Sequence, residues 1–557
     1  MRWQALLWEL NRRMMEAPRG SSEDRPSATM PASAAATPAS SSTGFPVRVA
    51  LVASLAAINN LAFGYDVGVV SGSLRDMATS LNLSTIEQEA ATSGLNFVAG
   101  AGALLMSGNL LDLLGRKATL LAASVLLLVG AAVVSLAQNF PVLLLGRALQ
   151  GLGSGCGWCA CSVYITEIAP PAYRGSLVAI SDIAINVGIL LGYAVDRMIN
   201  VWIDTPDARW RVAMAISATM PLIYVLLFSC VPETPRWLVM AGREDDAARA
   251  LAWMGGATGG TAETTPCLPR RRSDGGDDPG AAAVAGDIDA IAASVRGART
   301  VSWRGIFSRR QVSTSLLVTV IVLGLGQQLT GTEAILYYTP RIVNECVGGE
   351  TEGCVSAQTV FLISIGVGAC KLVGELVAAC LVESVGRRRT LAVSNLLVSA
   401  TIFTIALKFA LGWPTAAGAA SLCLTMLFFS LGPGPLTFVV VNEIVPLPAR
   451  GKLVALSVFF NRLGSGTIAL TFLTLKNRVG TFASFTLYAL LGVALTAFYW
   501  LGVPDVTGKS LEEADAPASP AAAAAARGEA QDRSMLANDA AAATSYGTAT
   551  RDDGAAL

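Results

Sequence analysis

Apolar residues dominate this chain in stretches of similar length, and short polar turns separate them. Each stretch is close to the roughly 20 residues that an α-helix needs to cross the hydrocarbon core of a bilayer. The pattern predicts an all-α membrane protein with twelve transmembrane helices. The predicted spans are 47–72, 91–111, 118–138, 142–166, 176–196, 210–231, 312–338, 356–382, 391–411, 416–441, 453–473 and 482–503.

Polar and low-complexity segments divide these spans into two sets of six. Both ends of the chain are rich in Ala and small polar residues, which predicts disordered tails. The central polar segment contains a helix-like stretch, 243–254, followed by a Gly/Asp/Arg-rich stretch, 255–286, that is expected to be mobile. The predicted domains are an N-terminal tail (1–44), a first six-helix half (45–231), a linker (232–311), a second half (312–503) and a C-terminal tail (504–557).

The seventh span carries polar groups where an apolar helix should continue. A mostly apolar run precedes this segment, whose polar residues lie before two tyrosines: Gln327, Gln328, Thr330, Thr332 and Glu333. In hydrocarbon such groups need partners, so they must face a bundle interior or a wet cavity. Gly331 adds a point where the helix can bend. We interpret the segment as a substrate-binding site, and the alternative is that the glutamines hold neighbouring helices together.

Composition excludes several classes of function. The 557 residues are 53% hydrophobic and only 14% charged, and mean hydropathy is +0.54, so the lipid bilayer is the expected environment. The net charge of zero gives no reason to expect a nucleic-acid partner. The absence of histidine removes His bases and His metal ligands. Because no nucleophile accompanies a base, we expect no enzyme, no cofactor and no metal. The glycines of 151–157 are attributed to tight helix packing.

An internal repeat relates the two halves. Three motifs of the first half recur in the same order in the second, which predicts two halves related by an axis along the membrane normal, with the substrate site between them. The charged residues of the repeat and their neighbours are interpreted as a salt-bridge gate between the halves, or alternatively as topology signals only. These residues are Asp112, Arg116, Glu167, Arg174, Glu233, Arg236, Glu383, Arg387, Glu443 and Arg450.

Basic residues concentrate in connections that fall on one side of the predicted bundle. By the positive-inside rule this side, and with it both termini, is cytosolic. The sequon at Asn82 then faces outward, where it can be glycosylated. Cys346 and Cys354 lie in an outward loop, where a disulfide can form.

The motifs together resemble the sugar porter family of the major facilitator superfamily, over roughly residues 47–513. The resemblance implies a carrier of monosaccharides or polyols that works by alternating access as a monomer, in the plasma membrane or in a vacuolar or plastid membrane. It implies that the glutamine pair binds sugar and that 432–435 break the tenth helix. The motifs on which the resemblance rests are FGYDVGVVSG (63–72), GRALQGLGSG (146–155), YITEIAPPAYRG (164–175), PETPRWL (232–238), GQQLTG (326–331), ESVGRRRT (383–390), GPGPLTFVVVNEIVP (432–446) and VPDVTGKSLEE (503–513).

Departures from glucose carriers in this family concern the expected sugar-binding positions. The acid Glu333, Lys371 in the eighth helix and the NRLGSG segment of the eleventh look like plant polyol/monosaccharide-proton symporters. The resemblance therefore implies proton symport rather than glucose uniport. The residues predicted to bind substrate are Gln327, Gln328, Glu333, Tyr337, Lys371, Asp182, Phe438 and Asn461.

Charged side chains inside the predicted spans must form ion pairs or have a role in transport, because an unpaired charge at the bilayer centre costs about 2.5–3.5 kcal/mol on insertion scales. Asp66, which matches the proton-binding acid of the symporters, is the expected coupling site with Arg147 as its partner. Lys371 is expected to pair with Glu333, although Glu375 on its own helix is the alternative, and a fixed pair that never touches substrate remains open. Rival functions are a uniporter, in which Asp66 is structural, and a sugar sensor that does not transport.

Overall fold

A computed structural model describes most of the predicted membrane domain. The ranges are 47–106, 111–170, 173–255, 285–286, 288–289, 291–293, 302–307, 313–345, 355–446 and 449–503. Both predicted tails, the pair Cys346 and Cys354, and the side chain of Glu383 lie outside the described residues.

Within the described ranges, the first half and the linker are built from helices. They are α1 (Val47–Ala56), α2 (Ile58–Ser80), α3 (Thr85–Leu105), α4 (Leu111–Leu114), α5 (Arg116–Ser135), α6 (Phe140–Ile168), α7 (Arg174–Trp202), α8 (Pro206–Ser217), α9 (Thr219–Phe228), α10 (Pro235–Met240), α11 (Glu244–Gly255) and α12 (Trp303–Phe307). Helix α11 confirms the helix-like stretch predicted in the linker.

The second half repeats the arrangement. Its helices are α13 (Thr314–Leu329), α14 (Thr332–Asn344), α15 (Ala357–Val385), α16 (Arg387–Leu411), α17 (Thr415–Leu431), α18 (Pro433–Ile444), α19 (Arg450–Val479) and α20 (Thr481–Gly502). Several of these follow each other end to end within one predicted span.

Ten helical segments within the described ranges are long and apolar enough to cross a membrane. Helices α3 and α6, with 21 and 29 residues, have the length as well, which is consistent with the twelve predicted spans. The second span was predicted to begin at 91, but its helix begins at Thr85. Ser84 and Glu87 form a capping box that satisfies the first backbone N–H groups and starts the helix one and a half turns earlier.

The seventh and tenth spans are broken at the points that the sequence predicted. Gly331 adopts φ 80° between α13 and α14, a left-handed conformation that favours glycine. Between α17 and α18, Gly432 is non-helical and Pro433 supplies the first residue of the new helix. The side-chain amide of Gln327 donates to the carbonyl oxygens of Pro433 (2.6 Å) and Gly434 (2.8 Å), so the two breaks are tied to each other.

Glycines allow the helices of the first half to pack closely, which confirms the interpretation of 151–157. A Cβ at Gly155 would lie 2.0 Å from the carbonyl oxygen of Ala99 on α3, and one at Gly151 would lie 2.4 Å from that of Leu95. A Cβ at Gly153 would meet Ala123 on α5 at 2.6 Å. Helix α6 is therefore in backbone contact with neighbours on two faces.

The turns at Gly115 and Gly386 define one side of the bundle, called here the basic side, and the turns at Asn82 and Gly412 define the far side. Hydrogen bonds between the halves run from mid-depth to the far side. Arg341 Nη2 donates to Gln88 Oε1 at 2.5 Å. Glu89 accepts from the backbone N–H (2.7 Å) and the hydroxyl (2.5 Å) of Thr474. These bonds close the far side of the interface between the halves.

Replacing Gly155 with alanine should lower stability, although Gly→Ala inside a helix normally stabilises by up to about 1 kcal/mol. The new methyl would overlap the Ala99 carbonyl, and overpacking of this kind costs about 1–3 kcal/mol. Gly175→Ala is the matched control, because a Cβ there meets nothing within 4 Å. Melting of the purified protein in detergent checks this, and equal melting temperatures for the two variants would contradict the close packing.

Candidate functional site

A cavity lies between the two halves and encloses about 700 Å³ of empty space, part of it open to solvent. Lys371, the central residue of the 29-residue helix α15, places it at mid-depth. Residues of both halves form the wall of the cavity. The lining residues are Phe63, Val67, Trp158, Asp182, Ile185, Asn186, Ile189, Gln327, Gln328, Thr332, Glu333, Leu336, Lys371, Glu375, Phe429, Gly434, Phe438 and Arg462.

The two glutamines of the seventh span have different surroundings. Gln327 is fully engaged by protein: its amide nitrogen holds the carbonyls at the α18 break, and its oxygen accepts from Asn461 and, at 3.3 Å, from Gln328. Gln328 also donates to Asn461 Oδ1 at 3.3 Å, but its oxygen is buried without a partner among the described residues. Gln327 therefore positions the site, whereas Gln328 offers a free acceptor.

A second unused polar atom belongs to the wall of the same cavity. The hydroxyl of Thr332 is buried and has no hydrogen-bond partner within the described ranges, and Thr332 lines the cavity with Gln328. Buried polar groups in proteins are almost always hydrogen-bonded, and leaving one unpaired costs about 1–3 kcal/mol. A ligand rich in hydroxyl groups could satisfy both atoms.

Lys371 does not form the ion pair with Glu333 that the sequence predicted, nor one with Glu375. Its ammonium donates instead to Asn186 Oδ1 on α7, and the Asn186 amide donates to Glu375 Oε2 at 3.4 Å. The charges of Glu375, Glu333 and Asp182 all act on Lys371 without direct contact. The pairing was wrong because Asn186, from the opposite half, occupies the position beside the ammonium.

Asp66 and Arg147 form the ion pair that was predicted for them. Arg147 Nη1 lies 2.5 Å from Asp66 Oδ2, and both side chains are buried. Gln150 donates to the other carboxylate oxygen at 3.1 Å, and Arg147 Nε donates to the Ala91 carbonyl at 2.9 Å. The pair lies behind the cavity wall, one turn of α2 from Phe63 and beside Val67, which both line it.

Two residues predicted to bind substrate do not line the cavity. Tyr337 is buried, and its hydroxyl accepts from Asn96 on α3 at 3.2 Å. Asn461 is fully buried and holds Gln327, Gln328 and the Gly324 carbonyl. Both residues therefore position other groups. Phe438 does line the cavity, and its ring contacts Trp158 of the other half edge-on at 5.4 Å, on the basic side.

The predicted salt-bridge gate takes a different form. Arg116 contacts Asp112 (2.9 Å) and Glu167 (2.8 Å), which are all in the first half. Arg387 contacts Glu443 at 3.1 Å within the second half. The prediction that these arginines bridge the halves is therefore wrong in this conformation. The ion pairs join neighbouring helices of one half, so each half can move as a unit.

Among the remaining predicted gate residues, Glu233 and Arg450 make contacts within their own half. Glu233 accepts from the backbone N–H of Lys117 at 3.0 Å, and burial raises the pKa of its carboxyl above the usual value. Arg450 donates to the Val445 carbonyl at 3.3 Å. Arg174 and Arg236 are exposed on the basic side.

The comparison with protein families decides what kind of molecule holds this cavity. The family described as "Sugar (and other) transporter" matches residues 52–517. The chain belongs to this sugar transporter family. Its members are transporters, which confirms the resemblance, the all-α fold of the major facilitator type and the prediction that the chain is not an enzyme.

Individual relatives of this sugar transporter come from plants and bacteria. It is 33% identical to the probable polyol transporter 4 of Arabidopsis thaliana over 468 residues, 83% of each chain. It is 31% identical to the probable polyol transporter 6 of the same plant, over 85% of this chain and 94% of that one. The proton:xylose symporter XylE bound to 6-bromo-6-deoxy-D-glucose superposes with TM-score 0.68 at 25% identity, covering 85% of this chain and 98% of that one.

Sequence reasoning missed several members of the cavity wall. Arg462 and Glu375 are charged residues inside predicted spans, a signal that could have found them, but the sequence analysis did not assign either to the site. Asn186 and Trp158 carry no such signal, because single amide or aromatic residues in apolar helices are common packing residues. Their position in the wall depends on which face of each helix turns inward.

Substitution of the two glutamines, Gln327 and Gln328, should have different effects. Gln328→Ala should weaken binding of sorbitol or glucose about 2- to 10-fold, as expected for one hydrogen bond, and leave the melting temperature nearly unchanged. Gln327→Ala should lower the melting temperature instead, because it removes the hydrogen bonds that tie Asn461 and the carbonyls of residues 433 and 434 to the seventh span. Titration and melting of both variants check this. The division of roles fails if Gln328→Ala proves the less stable protein.

Proposed function

We propose that this sugar transporter is a secondary active carrier that moves a monosaccharide or polyol together with a proton by alternating access. The observation that carries the proposal is the mid-depth cavity between the halves, whose wall offers a free carbonyl oxygen, a free hydroxyl and several charged groups. A hydroxyl-rich neutral solute matches that set, because each hydroxyl both donates and accepts.

The names of the relatives support the same substrate class. Two are polyol transporters, and the solved neighbour is a proton:xylose symporter. In this proposal Gln328, Glu333, Lys371, Asp182 and Phe438 contact the substrate. Gln327, Tyr337 and Asn461 hold those residues in place.

Proton coupling is assigned to Asp66. Its carboxylate is buried beside Arg147, and both stand on helices that line the interface between the halves. Protonation of Asp66 would release Arg147 to its other acceptors, Gln150 and the Ala91 carbonyl. The proton would therefore change the contact between α2 and α6 next to the cavity.

Rocking of the halves would expose the cavity to each side in turn. On the far side the closing contacts are hydrogen bonds, including those of Glu89 with Thr474 and of Arg341 with Gln88. On the basic side the rings of Trp158 and Phe438 are in edge-on contact across the two halves. The ion pairs of the predicted gate would keep the helices of each half together during the movement.

The proposed orientation places the basic side and both termini in the cytosol of a plasma-membrane protein that acts as a monomer. Asn82 would then be glycosylated on the outside. It is exposed in the turn between α2 and α3, and its φ of 51° is tolerated by asparagine.

Uptake by purified protein in liposomes tests the proposal. Labelled sorbitol, mannitol, inositol, xylose and glucose are offered with and without an inward proton gradient. The proposal requires at least one of them to accumulate above its external concentration only when the gradient is present. Equilibration without accumulation would favour the uniporter.

Asp66→Asn should abolish gradient-driven accumulation and preserve counterflow of substrate, because exchange needs no net proton transfer. Counterflow also reports that the variant is folded. Asp196→Asn is the matched control: it removes another acid of the bundle, which bonds to Ser73 and Asn200 and not to Arg147, and should keep accumulation. An Asp66→Asn protein that still concentrates substrate would remove Asp66 from the coupling role.

A further inference from the structure

Arg462 is a buried cation of the cavity wall, and no carboxylate in the described part of the chain forms an ion pair with it. Its described hydrogen bonds all go to amide oxygens. Asn461 Oδ1 accepts from Nε (3.1 Å) and Nη2 (2.7 Å), and Asn96 Oδ1 of the other half accepts from Nη1 (3.4 Å). A guanidinium carries five N–H groups, so two remain for the cavity.

Aromatic rings fix the orientation of this guanidinium. The Phe63 ring centroid lies 5.6 Å from its central carbon, and that of Trp158 lies 4.9 Å away. Cation–π contacts and amide acceptors together hold the planar group in one orientation before any ligand arrives. A pre-organised donor loses little entropy when it binds a hydroxyl.

Glu333 faces the same cavity from the first turn of α14. It is buried, and neither carboxylate oxygen has a hydrogen-bond partner within the described part of the chain. The helix N-terminus stabilises its negative charge. Its charge acts on Arg462, but the two groups are not in salt-bridge contact. They form an open pair, with an acceptor on one helix and a donor on another.

We propose that two hydroxyls on adjacent carbons of the substrate close this open pair. One hydroxyl donates to the Glu333 carboxylate, and its neighbour accepts from Arg462. This inference rests on the proposed function and specifies its substrate class as a neutral acyclic polyol. Rotation about the carbon–carbon bond lets an acyclic diol match the fixed groups, whereas a ring holds its diol at one angle. Glu333 disfavours an anionic sugar acid by repulsion.

The test compares uptake of sorbitol and glucose by the wild type, Glu333→Gln, Arg462→Gln, Arg462→Lys and the double variant Glu333→Gln/Arg462→Gln. Each single glutamine variant should lose about 10- to 100-fold in kcat/KM for sorbitol, the range for a hydrogen bond to a charged group, and less for glucose. Arg462→Lys keeps the charge without the planar fork and should recover only part of the loss. The double variant should lose less than the product of the singles, because both groups bind one diol.

Lys408→Gln is the matched control, since Lys408 is a buried cation on α16 outside the cavity wall, and its sorbitol-to-glucose ratio should equal that of the wild type. An unchanged ratio in folded Arg462 variants would overturn the inference and leave the proposed function standing. Gluconate uptake in preference to sorbitol would overturn it too. A wild type that transports neither sugars nor polyols would refute the proposed function itself.

Discussion

Polar groups inside a membrane must form hydrogen bonds with other groups of the protein, because the hydrocarbon contains no water that could take the place of these partners. This constraint explains most of the buried polar contacts of the chain. Gln327 and Asn461 satisfy each other and the broken helix α18, and Lys371 is held by Asn186. Gln328 Oε1 and the Thr332 hydroxyl are two of the buried polar atoms that have no partner among the described residues, and both belong to residues of one cavity. These two atoms are therefore available where a hydroxyl-rich solute would bind.

The same constraint accounts for how the halves can separate. Within each half the contacts are between helix backbones, as at Gly155 and Gly64, where a Cβ would overlap a carbonyl oxygen. Between the halves, the far side is closed by hydrogen bonds such as that of Arg341 with Gln88. Each contributes about 0.5–1.5 kcal/mol net. A difference of this size is within the free energy that a bound substrate and a proton supply.

Much of the fold could be predicted because span length, glycine breaks and the repeat are local features of the sequence. The break at Gly331 and the helix 244–255 followed from such features. The start of α3 was predicted too late, because the capping box of Ser84 and Glu87 outweighs the lower hydrophobicity of its first turns. The residues that cap a helix are a local feature as well, so this signal was available in the sequence.

Side-chain partners across helices were harder to predict. Sequence gives the depth of Lys371 and Glu333 but not the rotation of each helix, and the pairing was assigned wrongly for that reason. Arg116 and Arg387 were assigned to a bridge between halves although their acids lie in the same half. Arg462 was missed as a wall residue because its neighbours Phe63 and Trp158 come from distant parts of the chain.

The most direct test of the central claim is an experimental structure of the wild-type protein with a bound polyol. The account predicts ligand density in the mid-depth cavity, with hydroxyl oxygens at hydrogen-bond distance from Gln328 Oε1 and Thr332 Oγ1. Ligand density elsewhere, or protein partners for both atoms with the ligand bound, would contradict it.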